Sequence, residues 1–276
     1  IATLQTALIT IAEARKDCIA VLSMPYDEGA SVADAVTYRK TTLNANTNRA
    51  TITSRFVKIN DAYNDILVEE PADGYQAARM AWVDYYKEVW WAPGGPEMGL
   101  LNSVSGCQVV DNKKAYTRGD LDTLYENPAN INPIQLYRAQ GIMIDGQKTL
   151  QKKSSAMDRI NVVRLIIFIE KSLRPSLDSF RMYPNDELTR FRIKGVCDEF
   201  LDLLSAKGAF QKESGDDGFL VVCDTTNNTP AVIDRNQLNV SIFVKPVRAA
   251  EFIELQVVVT QSGASFDELI SKGVLL

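Results

Sequence analysis

Histidine is absent from all 276 residues. Its absence removes Ser-His-Asp and Cys-His hydrolysis, His-ligated zinc and the commonest general base near neutral pH. Cysteine is scarce: Cys18, Cys107, Cys197 and Cys223 lie far apart, with no C-x-x-C pair, each inside or beside an apolar run. That spacing argues for reduced, buried thiols and against a zinc site. No apolar run approaches the ~20 residues that span a bilayer, and the first residues lack the charged and cleavage regions of a signal peptide. The expectation is a soluble protein made in a cytosol, without direct membrane insertion. Positive charge is not in excess: 30 Lys and Arg against 35 Asp and Glu give a net charge of -5. With no basic stripe, no nucleic-acid partner is expected. No G-x-x-x-x-G-K-[ST] phosphate loop occurs either.

Carboxylate-only glycosidase chemistry survives these exclusions, because it needs just two acids at the right separation. Among 35 acids, however, any one pair is a weak signal. "ESGDDG" at 213–218 lacks the ligand spacing and closing Glu of a calcium loop and reads as a turn. "WWAPGGPEMG" reads as a rigid turn, since Pro fixes φ and Gly relieves it. The aromatic cluster Trp82, Tyr85, Tyr86, Trp90 and Trp91 reads as core or domain-interface packing in preference to a ligand platform. No catalytic, cofactor-binding or metal-binding residue is expected, and no enzyme.

The chain opens on Ile1 rather than Met and enters at once into a helical pattern, which suggests a truncated chain with an N-terminal part missing. Leu4, Leu8, Ile11 and Ala12 mark one face of that helix. "CIAVLSMP" is a short buried strand stopped by Pro25, and Ser31 with Asp34 caps a helix over "VADAVTYRK". "ATITSRFVKI" is a second strand and "DILVEEP" a third, followed from Ala72 by helical spacing through Tyr75, Ala78, Ala81, Trp82 and Tyr85. Strands alternating with helices give an α/β layer over residues 1–103. Residues 104–158 read as a connector, with a short helix capped by Thr117 and Asp120 and ended before Pro128.

A second unit, 159–276, begins with the apolar helix "DRINVVRLIIFIEKSLRP", where Asn161, Arg164 and Lys171 leave a narrow polar stripe. The next helix, "DELTRFRIKGVCDEFLDLLSAKGA", takes Asn185 as its N-cap and buries Leu188, Phe191, Val196, Phe200 and Leu203. "GFLVVCD" follows as a strand. Then come an alternating strand with Leu238, Val240, Ile242 and Val244, broken by Pro246, and a β-branched strand from Phe252 to Thr260. Ser265 with Glu268 opens a last, short apolar helix that must dock on its own sheet or on a partner.

In this order, "WWAPGG", "INPIQLYRAQGIMIDGQKTL", "INVVRLIIFIEKSL", "MYPNDELTRF" and "VVCDTTNNTPAVIDRNQLNVSIFVKPVRAAEFIELQVVVT" resemble the sheath protein of contractile phage tails. The resemblance covers nearly the whole chain and is strongest from Asn132 to Thr260. It departs from the usual pattern at Asp145, Lys148, Val163 and Met182-Tyr183. The resemblance implies an α/β chain, a subtilisin-like α/β module followed by an α+β sheath C-terminal module, and no protease activity without His. It implies six-subunit rings stacked helically around a tail tube, shortening to drive that tube through a bacterial envelope. Partners would be further copies of the chain, the tail tube protein, and baseplate and tail terminator proteins. The location would be the virion tail sheath, assembled in the host cytoplasm. It also implies strand exchange between subunits, placed at Phe252, Ile253, Leu255, Val257, Val258, Val259 and Thr260. A phage-derived bacteriocin or secretion machine would use the same kind of sheath. The alternative from another class is an α/β carbohydrate-binding or hydrolytic protein using exposed acids and the Trp90-Trp91 pair.

Overall fold

A computed structural model describes residues 1–61, 63–101, 109–111, 115–137 and 140–251. The N-terminal helix α1 (Ala2–Arg15) leads into β1 (Ala20–Ser23), then α2 (Val32–Thr37) and β2 (Ala50–Thr53). β1 and β2 pair in parallel, from Ala20 opposite Ala50 to Ser23 opposite Thr53. Parallel neighbours need a crossover. Here α2 and the π-helical turn Tyr38–Leu43 that continues it supply one. Ser31 starts α2 as its composition requires: the Ser31 hydroxyl accepts the Asp34 N–H at 3.1 Å and donates to the Asp34 carboxylate at 2.6 Å.

The buried face of α1 differs from the expected one. Gln5, Ile9 and Ala12 point inward, while Leu4, Leu8 and Ile11 are exposed. Apolar residues surround this helix, so periodicity does not choose a face; the amide of Gln5 does. Its Nε2 donates to the Ser23 carbonyl and its Oε1 accepts the Tyr38 hydroxyl, both at 2.8 Å.

"ATITSRFVKI" is likewise two strands, β2 and β3 (Val57–Asp61), in separate sheets. The chain turns at Ser54, whose N–H donates to the Asn132 carbonyl at 3.0 Å and whose hydroxyl accepts the Ile134 N–H at 3.0 Å. β3 pairs antiparallel with β4 (Ile66–Glu70) on one edge and β5 (Val109–Asp111) on the other. Between them run α3 (Asp73–Tyr86) and the single turn α4 (Gly95–Met98). The inward face of α3 is Tyr75, Gln76, Arg79, Met80 and Val83.

Next come α5 (Arg118–Tyr125), with the Thr117–Asp120 capping box, and the hairpin of β6 (Ile134–Tyr137) and β7 (Gly141–Ile144). Leu124, Ile131 and Leu150 share a core with Leu22 and Ile52, and Ile134 and Ile144 share another with Val57 and Tyr75. Asn132 stitches this region: its Nδ2 donates to Thr51 Oγ1 and to the Lys148 carbonyl, while its Oδ1 accepts the Lys148 N–H at 2.7 Å.

The remaining elements are α6 (Ile160–Asp178), α7 (Glu187–Ala206), β8 (Phe219–Val222), α8 (Pro230–Ile233) and β9 (Ser241–Val244). α6 continues through Pro175. The N-cap of α7 is Asp186, which accepts the Thr189 N–H at 2.8 Å, and not Asn185. Asn185 instead donates to the Gln237 carbonyl and accepts from Arg190. With that phase, Ile193, Cys197, Leu201 and Leu204 face inward, and Leu188, Phe191 and Leu203 stand in solvent, Phe191 at 73% exposure. The core of this half joins Leu165, Ile169, Leu173, Leu201, Phe210 and Val221, and it also takes in Trp90 from the first half.

Candidate assembly interface

Among the described residues β9 lies at the edge of its sheet. It pairs antiparallel with β8, Phe219 opposite Val244 and Val222 opposite Ser241. Beyond the strand the register continues by one pair, with the Lys245 N–H donating to the Gly218 carbonyl at 2.8 Å. Antiparallel ladders alternate bonded and non-bonded pairs, so Ile242 and Val244 turn their N–H and C=O groups away from β8. Among the described residues nothing pairs with them. At the next outward position stands Pro246, which has no N–H to offer.

Beside that edge lies a largely apolar groove. The side chains of Val240, Ile242 and Val244 line it from the sheet, and Ile166, Ile169 and Leu173 line it from α6 together with the charged Glu170, Arg174 and Asp178, around a space of about 550 Å³. An unpaired backbone edge beside an apolar slot is the arrangement that accepts an added strand: main-chain bonds give the affinity and alternate side chains fill the slot.

After β9 the chain is pinned by the Val247 N–H on the Ala209 carbonyl, at 3.0 Å, and then crosses the exposed residues Arg248, Ala249 and Ala250. It returns to the body at Glu251. Arg159, the residue before α6, donates from Nε to Glu251 Oε1 at 2.6 Å and from Nη2 to Oε2 at 2.8 Å. Gln147 Nε2 adds a third donor to Oε1 at 3.0 Å. The Asp158 carboxylate lies 2.9 Å from Arg159 Nη1. Both side chains of the Arg159–Glu251 pair are mostly buried, at 25% and 16% exposure.

The other candidates dissolve into packing or surface. Trp90 is a core residue, and its carbonyl accepts the Asn161 amide at 3.1 Å. The remaining aromatics correct the expectation of burial: Trp82 stacks on Tyr86 at 4.8 Å, Tyr85 is 81% exposed, and Trp91 is exposed beneath the Lys87 ammonium. Burial pushes the Cys197 thiol up to about 11 and raises Cys223 as well, so neither is a nucleophile at neutral pH. Cys18 is free and only half-buried. Among the described residues no group of three acids or thiols could hold a metal, and no helix is long and apolar enough to cross a membrane.

The residues named for strand exchange, Phe252, Ile253, Leu255, Val257, Val258, Val259 and Thr260, lie outside the described residues. Residues 152–260 match the model of the phage tail sheath C-terminal domain. The chain is 32% identical to the tail sheath protein of Vibrio phage KVP40, over 96% of this chain and 40% of that protein. Over nearly its whole length the chain is similar to phage tail sheath proteins.

A second sheath relative, from Enterobacteria phage T4, is 30% identical over 97% of this chain and 40% of its own length. The chain thus spans about 40% of the length of the curated relatives it matches. Its fold matches the sheath of an extracellular contractile injection system in the contracted state, with a TM-score of 0.73 and 22% identity, over 86% of this chain and 63% of that one. Sheath proteins are structural proteins, not enzymes. Of the interface residues, Val240, Ile242 and Val244 were visible in the sequence as an alternating run. The contact of Arg159 and Gln147 with Glu251 was not: they are far apart in sequence, nothing in the segments that hold them points from one to another, and only an acid flanked by apolar residues at 251 hinted at a buried partner.

Proposed function

We propose that this chain is part of a structural subunit of a contractile tail sheath, polymerising as stacked hexameric rings around a tail tube and shortening to drive the tube through the host envelope. The observation that carries this reading is the edge of β9, which has no partner among the described residues, beside its groove. The segment from Phe252 to Thr260 of one copy adds as a strand to β9 of a neighbour. Its alternating apolar side chains enter the groove, and its main chain meets the outward groups of Ile242 and Val244. A strand of ~5 ladder bonds at ~1 kcal/mol net each holds subunits together but does not drive contraction. Contraction draws on larger surfaces: an extra ~1,600 Å² contact, at ~25 cal/mol per Å² of its apolar part, supplies a gross term of tens of kcal/mol. The extended lattice is then metastable, and the contracted one buries more surface between rigid subunits.

Within this reading the partners are further copies of the chain, the tail tube protein, and the baseplate and tail terminator proteins. The place is the virion tail, after assembly in the host cytoplasm. A phage-like injection system would use the same device. The parallel β1–β2 pair with its helical crossover supports a subtilisin-like origin for residues 1–103, carried with the 104–158 connector. The core built on α6 and α7 supports 159–276 as the sheath C-terminal module.

Electron microscopy of the full-length protein, expressed alone and concentrated, tests the reading. Hollow cylinders of sixfold rings are the expected result. Dispersed compact particles at every concentration, with and without tube protein, would refute it.

A further inference from the structure

Arg159 and Glu251 do more than add one ion pair, because Glu251 is the point where the C-terminal stretch meets the body after an exposed crossing. The last pinned position before Glu251 is Val247, four residues earlier (251 − 247). An extended chain spans at most about 3.3–3.6 Å per residue, so an untied residue 251 could stand anywhere within roughly 14 Å of that point. One of those places lets the following segment fold back as a hairpin onto its own β9. A tether that short gives the intramolecular partner an effective concentration in the millimolar range, well above that of a neighbouring copy in a dilute cytoplasm.

The tie works against that. Arg159 stands at the N-terminal end of α6, whereas the groove residues Ile166 to Leu177 begin six residues into the helix, about 9 Å further along at 1.5 Å per residue. Glu251 is therefore held at the end of the helix and not alongside the slot. The hold is specific: a planar guanidinium meets both carboxylate oxygens, and Gln147 adds a third donor.

We propose that the Arg159–Glu251 pair is a positioning latch that directs the segment after Glu251 away from its own β9 and toward that of a neighbouring copy. The latch rests on the strand-exchange reading above, and one experiment separates the two. Sheath is assembled from a mixture of full-length protein carrying Ile242→Cys and full-length protein carrying Val257→Cys, then treated with a short bismaleimide. Only strand exchange between copies yields linked dimers that need both cysteines. In a second preparation both cysteines are placed in one chain at high dilution, where a link reports self-closure.

With Arg159 and Glu251 intact, the mixture is expected to give linked dimers and the dilute double-cysteine chain little internal link. Glu251→Gln or Arg159→Glu is expected to cut the mixed yield at least fivefold and raise the internal link. The exchange Arg159→Glu with Glu251→Arg should restore the mixed yield to within twofold. Unchanged yields in both single variants overturn the latch while leaving strand exchange intact. So does a fall in melting temperature that parallels the loss of linking in every variant, the charge exchange included, since that marks a contact serving stability alone. Assembled sheath with no linked dimers even when Arg159 and Glu251 are intact overturns strand exchange and the latch together.

Discussion

Arg39 is wholly buried, and its Nη2 donates to the carbonyls of Ala45 at 2.9 Å and Leu150 at 2.8 Å. Its Nε and Nη1 have no partner among the described residues, and burial pushes the guanidinium down to about 10. The side chain thus joins two distant loops at the cost of an uncompensated charge. Truncation to Ala should lose both bonds and leave a cavity, lowering stability by ~3 kcal/mol or more. Arg39→Met, which fills most of the space and removes the charge, should cost under ~1 kcal/mol or even stabilise. Urea denaturation of the two variants measures the difference. Asp186 gives a different kind of prediction. Its carboxylate caps α7, and the Thr189 N–H holds its pKa below the ordinary 3.8. A carboxyl depressed on folding contributes stability that is complete above the unfolded value and is lost as pH falls through the lower folded value. Asp186→Asn keeps the cap but not the charge, so the melting temperature of this variant should fall less than that of the parent between about pH 5 and about pH 3, where carboxylates titrate.

Secondary structure was legible wherever the signal is local. The capping pairs Ser31 with Asp34 and Thr117 with Asp120 start their helices as read, because each pair satisfies N–H groups within one turn. Faces were less legible. In α1 and α7 apolar residues occur nearly all round; in α1 the face was chosen by Gln5, whose amide reaches the distant Ser23 and Tyr38, while α7 takes its cap one residue later than Asn185, from the local bond of Asp186 to the Thr189 N–H. The split between β2 and β3 was equally hidden, since it depends on the Asn132 carbonyl. Of the interface, the alternation of Val240, Ile242 and Val244 was readable, while the contact between Arg159 and Glu251, 92 residues apart, was not. Two elements invite direct tests. Pro175 sits inside α6, where it removes a backbone bond. Pro175→Ala should raise stability by ~1–2 kcal/mol, the helix gain of ~3 being offset by a freer unfolded chain; a thermal midpoint that falls would show that the ring packs usefully. On β9, Val244→Pro deletes an N–H that points away from β8. The chain should stay folded at a loss of ~1–2 kcal/mol, and sedimentation should detect no sheath polymers.

The two halves are joined by side chains from a short run at the end of α3. Trp90 enters the core of α6, α7 and β8, the Asn161 amide donates to its carbonyl, Arg164 pairs with Asp84, and the Lys207 ammonium meets Glu88 at 3.0 Å. A buried indole with three polar contacts around it couples the halves, which suits the proposed subunit, carried through a lattice rearrangement without deforming. Calorimetry of the chain should show a single transition. Trp90→Ala should remove ~3–5 kcal/mol from the α6–α7 half and split that transition in two. A variant that melts in one step at the parent temperature would mean that Trp90 is not the joint. Pro246 acts on a larger scale still. At the outward position that follows Val244 it offers no donor, so the ladder on that edge ends there. In the proposed strand exchange an incoming strand meets a fixed stop that sets its register, and the edge is too short to template the long, flat stacking from which fibrils grow. The proposed polymer thus carries a brake against the wrong kind of polymer.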